Sequence, residues 1–164
     1  MRTIKQNIYK FSELSDEAKQ KVLENLYGIN VDYEWWESID EDAETVGIKI
    51  TDFDIGRNNY INATIDNCHN TARGIIENHG ETCETYKAAE QFLENCKKLE
   101  DVEDEDYYLH EEELAEYEEE FEKELLEEYL SILKREYEYN LSEEAIIETI
   151  TANEYEFYEN GKLH

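Results

Sequence analysis

Five side chains of this sequence are of types that ligate soft metals: Cys68, His69, His79, Cys83 and Cys96. His79 and Cys83 stand four apart across Gly80, while Cys68 and Cys96 lie eleven and thirteen residues from them. Structural zinc sites are built on closely paired ligands such as C-x-x-C, and that pairing is missing, so no metal is expected and the cysteines read as small apolar residues. Asp52-Phe-Asp54, joined by Asp32 or Glu37, has the donor set of a hydrolytic divalent-cation site. Strand alternation would place Asp52 and Asp54 on the same face as Ile48 and Ile50, near a solvated edge, and catalysis is not expected there. The acidic residues 101–106 lack the glycine of a tight calcium loop. No phosphate-cradling glycine loop, nucleophile elbow or H-E-x-x-H pair occurs. A protein without catalytic residues or cofactors is therefore expected.

The remaining chemistry is charge. Forty-four Asp and Glu face fifteen Lys and Arg in 164 residues, a formal net charge of -29. Residues 1–31 carry four acids and five bases, so the negative field belongs to residues 32–164. Its densest part is 100–128, where seventeen of twenty-nine residues are acidic and Lys123 is the only Lys or Arg. Such a field repels nucleic acid and anionic lipid and attracts basic surfaces. Three cysteines, an odd number, argue against a disulfide framework, and the charged opening MRTIKQNIYK reads as neither signal peptide nor membrane span, so a cytoplasmic protein is expected.

The elements that must carry these charges follow from periodicity. Residues 3–11 alternate as a strand and lead to Ser15, a helix N-cap before apolar residues at helical spacing over 15–27. Residues 32–46 predict a second helix ending at Gly47. Residues 48–55 and 60–65 form a hairpin about a turn at Gly56 to Asn59. Helices are predicted over 67–78 and 82–99. A longer one over about 111–139 has Leu114, Tyr117, Phe121, Leu125 and Tyr129 on one stripe. Ser142 opens a last helix to about Ala152, and residues 155–158 with 162–164 return as terminal strands. With no proline and no linker, the expected fold is a single α+β domain, mostly helical, with a short antiparallel sheet and a long acidic helix. Of Trp35-Trp36, one belongs to the core and the other either packs too or anchors a partner.

At about 1.5 Å per residue, the run 100–128 would carry roughly one net negative charge per 2.7 Å of axis. Duplex DNA carries one per about 1.7 Å, and one of its strands one per about 3.4 Å. Glu111, Glu112, Glu118, Glu119 and Glu122 are expected on one wet side, and Glu116, Glu120 and Glu127 on another. Like charges at i, i+4, as at Glu116/Glu120 and Glu120/Glu124, destabilise a helix, so apolar packing must offset them.

This overall acidity, small size and set of Glu- and aromatic-rich helices resemble the phage DNA-mimic proteins, among them antirestriction and anti-CRISPR inhibitors. Residues 9–19 (YKFSELSDEAK), 34–38 (EWWES) and 47–54 (GIKITDFD) are similar to small phage and prophage proteins. The resemblance implies surface carboxylates that occupy the DNA groove of a host defence enzyme. The partner would be a basic nucleic-acid-binding protein, bound by Glu111, Glu112, Glu116, Glu118, Glu119, Glu120 and Glu122, with Glu37, Glu41, Asp42, Asp52 and Asp54 as a second patch. The alternative is an acidic interaction protein, antitoxin-like or neutralising a basic partner, without DNA mimicry.

Overall fold

A computed structural model describes residues 6–100 and 107–164. Among them the chain runs β1 (Tyr9–Lys10), a 3-10 turn (Phe11–Glu13), α1 (Asp16–Asn25), α2 (Glu37–Thr45), β2 (Ile48–Asp54), β3 (Tyr60–Ile65), α3 (Cys68–Asn78), α4 (Glu84–Glu100), α5 (Tyr107–Asn140), α6 (Glu143–Ala152) and β4 (Glu156–Phe157). This is the mostly helical α+β class read from the periodicity. Its contacts gather into two compact units, the described residues of Met1–Trp35 with Arg135–His164, and Trp36–Lys134.

In the first unit, α1 starts where Ser15 accepts a hydrogen bond from the Ala18 amide, and α6 where Ser142 does the same for Ala145. Both are hydroxyl N-caps that satisfy an orphan donor. Leu14, Ala18, Val22 and Leu23 bury against Ile146, Ile150 and Phe157. The predicted strand over 3–11 shrinks to Tyr9–Lys10, paired antiparallel with Glu156–Phe157. Residues 3–5 of that prediction lie outside the described residues. Extension past Lys10 stops because the Lys10 amide donates to Glu13 Oε2 at 2.7 Å, and the chain coils into the 3-10 turn. The expected return of 162–164 is a single bridge, Phe157 to Leu163. Gly161 turns the chain there with φ +83°, where a Cβ would sit 2.7 Å from the Ala18 carbonyl oxygen. Buried Asn30 donates to the Asn140 carbonyl at 3.2 Å and accepts from the Thr149 hydroxyl at 2.7 Å.

In the second unit, α2 begins at Glu37, so the helix expected over 32–46 loses its first turns. The physical reason is local: the Trp35 amide bonds the Tyr33 carbonyl, a three-residue turn incompatible with a helical ladder. Gly47 ends the helix in the left-handed region at φ +86°. The hairpin β2–β3 pairs Ile48 with Ile65, Ile50 with Ala63 and Phe53 with Ile61, with a register shift between Ile50 and Asp52. That extra residue reverses the alternation. Asp52 and Asp54 therefore lie on the face opposite Ile48 and Ile50, not on the same face as simple alternation requires. Buried Ile39, Ala43, Val46, Ile48, Ala72, Ile75, Ala89 and Phe92 belong to this unit, as do Phe121, Leu125, Tyr129 and Leu133 along α5. The Phe92 and Phe121 rings stack at 4.6 Å and 14°. No helix among the described residues is long and apolar enough to cross a membrane.

Candidate polyanionic interface

Helix α5 positions the carboxylates. Phe121, Leu125, Tyr129 and Leu133 recur every four residues, and all four are buried. This stripe seats one side of the helix and thereby decides which carboxylates face water. Each buried side chain of this kind contributes about 1.5–3 kcal/mol, while a like-charge neighbour on the same helix costs a few tenths. Packing wins, and the charged faces follow from it.

With successive side chains about 100° apart, Glu112, Glu116 and Glu119 fall on the face opposite the stripe, and all three are exposed. Glu111 and Glu120 are also exposed, the latter on the flank toward α4. Neighbours three and four apart on such a row sit about 5–6 Å from one another at Cβ. Residues 111–128 hold eleven acids and one base, Lys123. At about 1.5 Å per residue, that is again roughly one net charge per 2.7 Å. Glu111, Glu112, Glu116, Glu118, Glu119 and Glu120 make no ion pair with any cation among the described residues.

Glu118 and Glu122 differ from the wet row expected of them. Both are half-buried, and the Cys68 thiol at the start of α3 donates to Glu122 Oε1 at 3.4 Å. Burial, then the Glu122 hydrogen bond and the charges of Glu122 and Glu118, push the Cys68 thiol up to about 12. Cys68 is thus held as a protonated donor to Glu122. Cys96 is buried and Cys83 exposed. Among the described residues no group of three or more His, Cys, Asp or Glu could hold a metal ion. His79 is the C-cap of α3, and Cys83 immediately precedes α4. The acidic residues 101–106 weighed for calcium lie outside the described residues.

The second patch divides. Glu37 and Glu41 are exposed on α2. Asp42 accepts from the buried Tyr129 hydroxyl at 2.9 Å, and its other oxygen lies 3.5 Å from His79 Nε2. His79 Nδ1 sits 2.8 Å from the Thr85 hydroxyl, whereas its buried Nε2 makes no hydrogen bond among the described residues, so Thr85–His79 and Asp42–Tyr129 are two separate hydrogen-bonded pairs. Thr85, His79 and Asp42 therefore lack the His–Asp hydrogen bond of a hydrolytic triad, and Thr85 is buried at 3% exposure. Burial and the Asp42 carboxylate raise the Tyr129 phenol well above its ordinary range. Asp52 accepts from the Tyr60 hydroxyl at 2.7 Å. Asp54 accepts from the amides of Gly56 at 2.7 Å and Asn58 at 3.2 Å, which hold its carboxyl below the usual range and fix the hairpin turn. Three of these five acids therefore hold hydrogen bonds within the fold, while Asp42 and Asp52 remain exposed. No spacing rule could have found the Asp42 to Tyr129 pair, 87 residues apart.

Trp35 packs 5.3 Å from Tyr137 in the first unit, and Trp36 meets Phe53 edge-on at 5.6 Å in the second. Both are half-buried, and neither is among the fully buried core residues.

No protein-family model, curated protein or solved structure matches the chain.

Proposed function

We propose that the protein acts by binding rather than by chemistry, as a phage-encoded inhibitor that imitates a nucleic-acid backbone. Its acidic face would occupy the DNA or RNA groove of a host defence complex, a CRISPR effector or a restriction enzyme, in the host cytoplasm. The observation that carries this reading is the row Glu112, Glu116 and Glu119 with flanking Glu111 and Glu120. These side chains are exposed, lack internal cations among the described residues, and stand on a helix seated by a buried apolar stripe. A groove that holds phosphates with Lys and Arg would meet charges at comparable axial density. The fixed helix avoids part of the ordering cost that a flexible acidic tail would incur on binding.

The test is competition. Purified protein added to DNA-loaded effector or restriction complexes should displace the DNA, and raising salt from about 0.1 M to about 1 M should abolish displacement because exposed charges are then screened within about 3 Å. Replacing Glu112, Glu116, Glu119 and Glu120 with Lys together should remove the effect while helicity by circular dichroism is retained. Undiminished displacement by that variant would refute the proposal. Binding to a basic target that leaves DNA in place would assign the acidic interaction protein instead.

A further inference from the structure

Beside the outward row, α4 and α5 enclose a groove. Its deeper part holds about 200 Å³ between Ala88, Gln91 and Phe92 of α4 and Tyr117, Glu120 and Phe121 of α5. Past Glu124 it continues into a wider stretch of about 470 Å³ reaching Glu127. The floor is apolar, because the stacked Phe92–Phe121 pair and the Ala88 methyl line it. The rim is acidic on the α5 side. Lys87 is the only Lys or Arg among the described lining residues, and its ammonium is already 2.6 Å from Glu84. Glu120, Glu124 and Glu127 have no cationic partner among the described residues. The Gln91 amide nitrogen is turned to Asn95 at 2.9 Å, so its hydrogens are partly used and its oxygen remains as a further acceptor.

We infer that this groove is a socket for an arginine side chain presented by the basic protein that the acidic face binds. The inference rests on the polyanion reading above and gives it a point of specificity. The narrow part is below the roughly 300–1,000 Å³ of small-molecule sites, but it suits one long side chain. An arginine stem would lie on the apolar floor while its weakly hydrated guanidinium forks to Glu120 and Glu124. Lysine supplies the same charge without the fork and resists dehydration. The groove therefore selects between two residues that the outward row, a field of point charges, treats alike.

Two peptides of equal length and charge, one built on arginine and the other on lysine, measure this by titration calorimetry against the full chain at about 0.15 M salt. The arginine peptide should bind about five- to tenfold more tightly, and in the unmodified protein it should shift the Ala88 methyl and Gln91 side-chain amide resonances. Gln91→Arg places a cation of the protein's own in the groove and should erase the preference. Gln20→Arg makes the same charge change at an exposed position on α1, in the other unit, and should keep it. Equal affinity for the two peptides, or a preference that survives Gln91→Arg, would overturn the socket and leave the polyanion reading standing. Failure of both peptides to bind even at about 0.01 M salt would overturn both.

Discussion

Glu116→Gln should make the protein more stable and a weaker binder at once. Glu116 is exposed on α5, and its helical neighbours at i-4, i-3, i+3 and i+4 are Glu112, Glu113, Glu119 and Glu120. All four are like charges, and no cation among the described residues pairs with it. Each such neighbour costs about 0.2–0.5 kcal/mol, so neutralising Glu116 should stabilise by up to about 0.8–2 kcal/mol at low salt. Gln and Glu have similar helix propensities, so the backbone contributes little to the difference. The assay is urea unfolding at about 0.01 M and about 1 M salt, where the Debye length falls from about 30 Å to about 3 Å. The midpoint should rise for the variant at low salt with an unchanged slope, and the gain should vanish at high salt. Glu119→Gln is the internal control. Its neighbours at those positions are Ala115, Glu116, Glu122 and Lys123, so two repulsions are set against one attraction and the change should be within a few tenths of a kcal/mol. A neutral or destabilising Glu116→Gln at low salt would show that these charges do not act on one another as placed. The reasoning from a rigid charged row would then be lost.

The other predictions concern what holds the elements in place. Gly161→Ala should destabilise the first unit by at least about 2 kcal/mol, since a side chain at φ +83° is strained and its Cβ would press on the Ala18 carbonyl at 2.7 Å; an unchanged thermal midpoint would contradict that geometry. Asn30→Ala should cost about 1–3 kcal/mol by leaving the Asn140 carbonyl and the Thr149 hydroxyl without their partner. Asn30→Asp should not rescue it in chemical denaturation, because a carboxylate cannot donate to that carbonyl. Cys68 sets an alkaline limit. Its folded pKa of about 12 exceeds the ordinary 9.0, so above pH 9 the unfolded chain releases a proton that the folded one keeps, and stability falls as pH rises toward 12. The slope for this one group cannot exceed about 1.4 kcal/mol per pH unit. Cys68→Ala should flatten the stability profile between pH 9 and 10. In the native protein at pH 8, a thiol reagent should modify exposed Cys83 well before Cys68.

Local chemistry made most of the elements legible. Ser15 and Ser142 marked helix starts, Gly47 marked a stop, and the hairpin over 48–65 followed from alternation and its turn residues, because each signal acts within a few residues of its own backbone. The charge of -29 and its concentration on α5 are also properties of composition and order alone. Tertiary structure decided which carboxylates remain available. A single register shift after Ile50 moved Asp52 and Asp54 to the other face of the hairpin, and packing half-buried Glu118 and Glu122, the latter beside Cys68 on α3. Asp42 was drawn to Tyr129, a partner no periodicity connects to it. Sequence thus determined how much charge the protein carries and on which elements. The division between carboxylates that serve the fold and those that face outward depends on which residues meet across long stretches of chain, and only the packed structure supplies those meetings.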